Sequence, residues 1–265
     1  MKRKDTSHLL DRLKKLLLDL KLKTAASELG PRLLKAGGEE ALPTVIDVIE
    51  MEAKERVDRR IERLRRASNL PPGKTFDTLD TSRLPRALAQ KLEGLSAGGW
   101  VEEAANVLVF GLPGVGKSHA AAALGHALLA RGHSVLFTPT FRLVQELLAA
   151  KRDLELPKAL RKLDLFDVLV LDDIGYVQQT PEEVEVLFTL MAERYERRSI
   201  LITSNLVFSE WDRIFKNPMT TAAAIDRLVH HSAILEFNVP SYRTAGARKK
   251  GDKTDATSDN AEAHP

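Results

Sequence analysis

The stretch from Gly111 to Ser118 constrains the fold of this 265-residue chain more than any other part of its sequence. It reads Gly-Leu-Pro-Gly-Val-Gly-Lys-Ser and fits the phosphate-loop pattern G-x-x-x-x-G-K-[ST], which requires a strand before the loop and a helix after it. The apolar run 106–110 predicts the strand, and the Ala- and Leu-rich run 120–129 predicts the helix. The alternative, an ordinary glycine-rich turn, becomes weak once both flanks are counted. The sequence therefore predicts a nucleotide site.

The positions of this loop differ in the role we expect for them. Its glycines allow a tight turn, so that consecutive N–H groups and the start of the helix converge on the phosphates. Lys117 would supply a positive charge to the β- and γ-phosphates, and the Ser118 hydroxyl would be a ligand for Mg²⁺. The predicted nucleotide-contacting residues are Gly111, Pro113, Gly114, Val115, Gly116, Lys117, Ser118 and His119.

The composition limits the chemistry available to this site. The chain has no cysteine, which removes disulfides, zinc fingers and thiol catalysis and leaves Lys, Asp, Asn and Arg as candidate functional groups. No apolar run approaches the roughly 18 residues of a membrane span, and the first residues lack the apolar core of a signal peptide. We therefore expect a cytoplasmic protein without a membrane partner.

The N-terminal residues show apolar side chains at helical spacing. They predict a first helix from Ser7 to Leu20, a second over 24–35 that is interrupted at 30–31, and a third over 43–67. The interruption is expected because residues 30 and 31 are Gly and Pro. These segments predict a small all-helical domain at the N-terminus.

The end of the third predicted helix is strongly basic. Residues 54–66 contain seven basic and three acidic side chains. At helical spacing, four arginines share one face beside the apolar face and suit the phosphate backbone of DNA. These are Arg56, Arg59, Arg60 and Arg63, here called the arginine stripe. The alternative, a solvated face with i, i+4 pairs such as Glu55–Arg59, stays open.

A second basic segment covers residues 151–162, with five basic and two acidic side chains. Its candidate DNA-contacting residues are Lys151, Arg152, Lys158 and Arg161. Without further context, a solvated pair of helices is the better explanation of this segment.

Strands alternate with helices through the rest of the chain. Further strands are predicted over 134–137, 167–171, 199–203 and 233–237, and helices over 84–95, 141–148, 157–163, 182–197 and 220–228. This alternation predicts a central parallel sheet with helices on both faces. Consecutive prolines at 71 and 72 mark a boundary, which gives an N-terminal domain over 1–70, a nucleotide-binding domain over 71–243 and a disordered basic tail over 244–265.

Polar residues follow two of these strands. Asp172 comes directly after the run 167–171, where a carboxylate can ligate Mg²⁺, and Asp173 could orient the attacking water. Asn205 follows the run 199–203 and could hold the same water without titrating. The alternatives are a helix cap or turn for the Asp pair and a plain turn for Asn205. A GTPase is disfavoured because the chain has no [NT]-K-x-D motif to recognise guanine.

Several longer stretches resemble IstB-type helper ATPases of insertion-sequence transposition, relatives of DnaC helicase loaders and DnaA initiators in the AAA+ superfamily. The stretches are GLPGVGKSHAA (111–121), LVLDDIGY (169–176), RYERRSILITSNLVFSEW (194–211), AAAIDRLVHHS (222–232) and SYR (241–243). The resemblance implies an AAA+ P-loop fold, ATP and Mg²⁺ as cofactors, and ATP sites at the interfaces of a homo-oligomer.

The resemblance also implies roles for single residues. Asp172 corresponds to the Walker B aspartate and Asn205 to sensor one, while Arg227 looks like an arginine finger that reaches the ATP site of the next subunit. The helices over 141–163 fall where initiators insert an extra helix. Two departures matter: Asp173 replaces the commoner Glu, and a lid after Arg243, the sensor-two candidate, would be reduced or absent.

The expected function follows from this resemblance. It is an Mg²⁺-dependent ATPase that oligomerises on duplex DNA, marks or deforms a target, and recruits and stimulates the transposase of the same element. The alternative within the same fold is a DnaC-like loader of a replicative helicase. A rival from another class is a DNA-bound scaffold that binds ATP without hydrolysing it.

Overall fold

The computed structural model describes residues 2–175, 180–215 and 218–241. The chain divides into two compact units, Met1–Arg63 and Leu64–Pro265. The division lies inside the third helix, short of the boundary predicted near residue 70. Arg243, the tail over 244–265 and the expected reduced lid lie outside the described residues.

The N-terminal unit contains the first two predicted helices and most of the third. They are α1 (Lys2–Asp19), α2 (Lys23–Lys35) and α3 (Leu42–Ala67), and a short 3₁₀ turn, Glu39–Ala41, precedes α3. The apolar side chains that share the buried faces are Leu13, Leu17, Ala26, Leu42 and Ile46. The stripe of leucines in α1 thus packs as its spacing predicts, because i, i+4 side chains lie on one face of a helix.

The predicted interruption of α2 is wrong. The helix is continuous from Lys23 to Lys35 with Pro31 in its interior. Gly30 lies against α1 so closely that a Cβ there would be 2.9 Å from Leu10 Cδ2. Packing of the two helices therefore outweighs the hydrogen bond that the proline removes, a cost of about 3 kcal/mol in an isolated helix.

The second unit is built around a five-stranded sheet with the order β2-β3-β4-β1-β5, in which every pair of neighbours is parallel. The strands are β1 (Asn106–Gly111), β2 (Val135–Pro139), β3 (Val168–Ile174), β4 (Ser199–Ser204) and β5 (Ser232–Phe237). Side chains of β1 alternate between two cores, with Val107 and Val109 on one face and Leu108 and Phe110 on the other. The predicted parallel sheet covered on both faces is confirmed.

Helices cover both faces of this sheet. They are α4 (Arg86–Ser96), α5 (Gly99–Glu102), α6 (Lys117–Ala130), α7 (Thr140–Arg152), α8 (Leu156–Leu163), α9 (Pro181–Arg194), α10 (Asp212–Phe215) and α11 (Pro218–Val229), with 3₁₀ turns at Thr81–Arg83 and Phe208–Glu210. The helix α6 packs on one face, and α7, α9 and α11 contribute to the core on the other. In the part of the chain that the structure describes, no helix has the length and apolar character needed to cross a bilayer.

The helix α9 ends at Arg194 rather than at Arg197 as predicted. The Arg194 side chain is 1% exposed, and its guanidinium donates to four backbone carbonyls. The acceptors are Leu163, Phe166, Asp167 and Ser199, at 3.0 to 3.2 Å. Burial lowers the pKa of Arg194 to about 10, and the nearby Asp164 carboxylate opposes that shift. This arginine therefore fastens the end of α8 and the starts of β3 and β4 together.

Candidate nucleotide site at the carboxyl edge of the sheet

The candidate functional residues follow three neighbouring strands. Phe110 of β1 pairs with Ser204 of β4, and Ser204 also pairs with Ile174 of β3. Because parallel strands end at the same edge, the phosphate loop, Asn205 and the two aspartates are gathered at one edge of the sheet. The sequence alone placed each of them after a strand, and the strand order now makes them neighbours.

The phosphate loop owes its shape to glycines. Gly114 and Gly116 have φ angles of +83° and +101°, in the left-handed region that glycine adopts most readily. At Gly111, a Cβ would lie 2.7 Å from the Phe237 carbonyl oxygen, so no larger residue fits there. Val115 is 1% exposed and anchors the middle of the loop in the core. The backbone is thus held in the cradle that a phosphate group needs.

Lys117 lies at the start of α6, earlier than the predicted start at Ala120. Its side chain is buried, and its ammonium donates to the carbonyls of Gly111 at 2.7 Å and Leu112 at 3.0 Å. Both acceptors belong to the loop itself. These carbonyls hold the ammonium over the loop, and a phosphate oxygen could replace either of them as its hydrogen-bond partner.

A network of hydroxyl groups holds Asp172. The hydroxyl of Thr203 donates to Asp172 Oδ1 at 2.7 Å and accepts the backbone N–H of Asp173 at 2.8 Å. Thr140 donates to the Asp172 carbonyl at 3.0 Å. Thr203 is fully buried, so these bonds are shielded from water. Thr203 of β4 therefore orients the Asp172 carboxylate, and Thr140 in the first turn of α7 holds the Asp172 backbone.

The strand β3 does not end before the two aspartates but runs through them to Ile174. Its register with β4 shifts between Leu171 and Ile174, which is a β-bulge. Asp173 lies in this bulge with φ +61°, and its side chain is exposed while that of Asp172 is half-buried. The two consecutive carboxylates thus have different environments, and the bulge gives Asp173 a left-handed backbone that a regular strand does not have.

Asn205 carries a buried polar atom without a partner. Its Oδ1 makes no hydrogen bond among the described residues. Such atoms are rare in folded proteins, because leaving one unpaired costs about 1–3 kcal/mol. The Asn205 amide oxygen can therefore accept a hydrogen bond from a ligand or a water at this edge. The side-chain oxygens of Ser118, Asp172 and Asn205 together fit a Mg²⁺–nucleotide complex.

Arg227 lies in α11 and is partly buried. Its guanidinium lies over the Phe188 ring of α9, 4.8 Å from the ring centroid, and donates to the Ala223 carbonyl at 3.2 Å. No ion pair between Arg227 and an acid of its own helix occurs among the described residues. The cation–π contact instead holds the guanidinium against Phe188 of α9.

One wall of the cleft beside the phosphate loop could not be predicted from the sequence. The cleft has a volume of about 360 Å³, and the segment 74–80 lines it opposite the start of α6. The cleft residues of that segment are Lys74, Thr78, Leu79 and Asp80. His119 Nε2 joins the two sides, at 3.0 Å from the Thr78 hydroxyl and 3.1 Å from the Thr75 carbonyl. The segment has no apolar periodicity, so only its position in the fold reveals it.

The arginine stripe is exposed, and acidic side chains contact Arg56 and Arg59. Arg56 forms an ion pair with Glu52 at 2.7 Å and donates to the Leu20 carbonyl, and Arg59 contacts both Glu52 and Glu55. In the second basic segment, Lys151 pairs with Glu185 and Lys158 with Glu155, whereas Arg152 and Arg161 are exposed. Both proposed DNA surfaces remain predictions. The Glu55–Arg59 pair expected for a solvated face of α3 is present, and so are the two helices, α7 and α8, expected as the alternative for the second segment.

With this geometry in place, the match to known families can be interpreted. Residues 12–250 match the model of the IstB-like ATP binding protein family. The chain belongs to this family. An insertion sequence ATP-binding protein of Sinorhizobium fredii is 46% identical over 236 residues, covering 88% of this chain and 79% of that relative. The IS21 ATP-binding protein of Pseudomonas aeruginosa is 38% identical over 206 residues, covering 77% of each chain.

Solved structures with similar folds include the DnaC helicase loader and the replication initiator DnaA. The DnaC helicase loader has a TM-score of 0.55 at 20% identity, covering 63% of this IstB-like chain and 98% of that one. The initiator DnaA, bound to AMPPCP and single-stranded DNA, has a TM-score of 0.55 at 16% identity, covering 71% and 57%. At these identities the likeness concerns the fold alone, and it confirms the predicted parallel sheet flanked by helices.

The bond from Thr203 to Asp172 leads to a prediction. Thr203→Val keeps the size of the side chain but removes the donor to the carboxylate and the acceptor for Asp173 N–H. We expect Mg²⁺-dependent nucleotide binding to weaken about 10- to 100-fold, the usual effect of losing such a supporting partner. Thr203→Ser, which retains the hydroxyl, is the control. Equal Mg²⁺ dependence of Thr203→Val and the parent in a fluorescent-nucleotide titration would contradict this role.

Proposed function

We propose that this IstB-like protein is an Mg²⁺-dependent ATPase that oligomerises on duplex target DNA, deforms or marks it, and recruits and stimulates the transposase of its own insertion element. Hydrolysis would reset the assembly. The observation that carries the proposal is the gathering of the phosphate loop, Asp172 and the unpaired Asn205 amide at one edge of the sheet. The insertion-sequence relatives support the transposition context. We place the protein in the cytoplasm, where its proposed substrates occur.

Each side chain of the site has a proposed task in hydrolysis. The loop N–H groups and Lys117 bind the phosphates, and Ser118 and Asp172 are the ligands for Mg²⁺. The chemistry that Mg²⁺ supplies is neutralisation of charge on the phosphate oxygens. Asp173 accepts a proton from the attacking water or orients it, and the Asn205 amide holds that water. Arg227 completes the site of the neighbouring subunit.

The cleft wall offers space for the base and ribose of the proposed ATP. Thr78 and His119 place polar groups beside the start of α6, and Lys74 and Asp80 add one charge of each sign. A base and ribose bound there would lie between the segment 74–80 and the loop that holds the phosphates. Arg243 stays a proposed contact of the phosphates.

The decisive experiment compares the parent with Lys117→Ala. We expect the parent to form large assemblies on duplex DNA when ATP and Mg²⁺ are present, and the variant to form none because the phosphates lose their main cationic partner. Electron microscopy and sedimentation with duplex DNA measure this outcome. ATP-dependent assembly of Lys117→Ala at the parental level would refute the assignment of the site.

The arginine stripe provides a separate prediction about DNA. Arg60→Gln and Arg63→Gln should lower duplex affinity for any sequence and reduce the slope of log affinity against log salt by about 0.9 for each lost phosphate contact. Arg32→Gln, on an exposed side chain paired with Glu28 in α2, is the control. A slope that stays at the parental value in the double variant would show that the stripe is only a solvated face.

The second candidate is a DnaC-like helicase loader, favoured by the similarity in fold to that protein. A loader would bind single-stranded DNA and a replicative helicase, whereas the proposed regulator binds duplex DNA and a transposase. Competition between duplex and single-stranded DNA for the ATP-bound protein separates these functions. Phosphate release with and without duplex DNA separates both from a scaffold that does not hydrolyse ATP.

A further inference from the structure

Two histidines and a glutamate lie together at the edge of the sheet opposite the nucleotide site. Glu196 is in the turn between α9 and β4, and His230 and His231 form the turn between α11 and β5. One ligand atom from each of the three lies within 4.8 Å of the others. Because β4 and β5 are parallel, six-residue strands, this cluster is roughly 20 Å from the carboxyl edge.

We propose that Glu196, His230 and His231 form a binding site for Zn²⁺ or a similar divalent transition-metal ion. Imidazole nitrogens and a carboxylate oxygen are the ligands that such ions prefer when thiolates are absent. The lack of cysteine in this chain therefore excludes zinc fingers but not this kind of site. Three protein ligands would leave one coordination position for water.

The geometry requires only a small adjustment. Ligands of a tetrahedral Zn²⁺ at about 2.1 Å from the ion are about 3.4 Å apart. All three side chains are exposed, so rotation of their side chains can bring the ligand atoms from 4.8 Å to that spacing. The rings of His230 and His231 already lie 4.3 Å apart between centroids, which places two imidazoles beside one point.

Tyr195 provides the supporting contact that metal-binding histidines usually have. Its hydroxyl is 3.2 Å from His230 Nδ1, which leaves Nε2 as the ligand atom of that ring. When His230 Nδ1–H donates to this hydroxyl, the tautomer has a free Nε2 lone pair for the ion.

Metal binding would join the end of α9 to the end of α11. His230 comes three positions after Arg227, so the ion would fix the C-terminal end of the helix that carries this arginine. The site is separate from the proposed Mg²⁺ ligands, and its test requires neither ATP nor DNA. Failure of the metal site and failure of the proposed ATPase function are therefore distinguishable.

The test is a titration of the tag-free full chain with ZnCl₂ by calorimetry in a non-chelating buffer. We expect one ion per chain, and about a tenfold or greater loss of affinity in His230→Gln, His231→Gln and Glu196→Gln. His8→Gln, an exposed histidine of α1, should bind as the parent does. Co²⁺ bound in place of Zn²⁺ should absorb visible light in the parent protein, and His230→Gln and His231→Gln should lack this absorption.

Thermal unfolding provides a second measurement on the same proteins. Zn²⁺ should raise the melting temperature of the parent and of His8→Gln but not of the three cluster variants, while all should unfold alike without metal. The proposal is overturned if the parent binds no Zn²⁺ at 100-fold excess over protein, or if the cluster variants bind it as tightly as the parent.

Discussion

Arg227→Ala protein is expected to hydrolyse ATP about 10³- to 10⁵-fold more slowly than the parent on duplex DNA, because a guanidinium supplied to the neighbouring site stabilises charge on the transferring phosphoryl group. In the structure the guanidinium lies over the Phe188 ring, and a cation–π contact at a partly buried site is worth about 0.5–2 kcal/mol. Releasing the guanidinium from that ring therefore costs little free energy compared with the transition-state stabilisation expected from the arginine.

Mixing experiments decide whether the arginine acts between subunits. Arg227→Ala protein retains an intact phosphate site, and Lys117→Ala protein retains the arginine. Interfaces that combine the two should recover part of the ATPase that each variant lacks alone. Steady-state phosphate release on duplex DNA over a series of mixing ratios measures this recovery.

The control for this series is Arg213→Ala. Arg213 is an exposed arginine of α10 that pairs with Glu210 at 2.9 Å, and its loss should leave the ATPase unchanged. If Arg227→Ala protein alone hydrolyses ATP normally on DNA, the arginine finger is wrong and the shared-site mechanism is wrong with it.

Asp173→Asn protein is expected to bind ATP as the parent does but to hydrolyse it about 10²- to 10⁴-fold more slowly, the range for loss of a general base. The substitution suits the backbone, because Asn tolerates the left-handed conformation observed at this position, where φ is +61°. The Thr203 hydroxyl accepts the N–H of residue 173 in either protein, so the carboxylate of Asp172 stays oriented. A long-lived ATP-bound assembly on DNA should result.

Single-turnover hydrolysis and fluorescent-nucleotide binding separate the two aspartates. Asp172→Asn is the comparison, because loss of a Mg²⁺ ligand should weaken Mg²⁺-dependent binding as well as hydrolysis. Hydrolysis at the parental rate in Asp173→Asn would show that another group activates the water, and Asn205 would then be the residue to test.

Local patterns in the sequence were enough to predict the phosphate loop, several strands and the first helix. The phosphate loop could be identified because its glycines and Lys117 meet requirements of backbone geometry and charge that few other residues satisfy. The strands β1, β3 and β4 could be located because their apolar runs are short and bounded by polar residues. The leucine stripe of α1 followed from the period of a helix.

The tertiary structure decided features that depend on contacts between distant segments. The strand order put Asn205 between the phosphate loop and the aspartates, and the pairing of β3 with β4 produced the bulge at Asp173. Packing against Leu10 kept α2 continuous where its Gly-Pro pair predicted a break. In each case the energy comes from a partner far away in the chain, which no local pattern encodes.

The supporting residues show the same division. Asp172 could be predicted from its position after an apolar strand, but its hydrogen bond from Thr203 joins residues of two strands and depends on their register. The segment 74–80 became part of the nucleotide cleft only because the chain folds back to His119. The sequence alone thus determined which groups carry the chemistry, and the fold decided which others orient them, because orientation requires neighbours in space rather than in sequence.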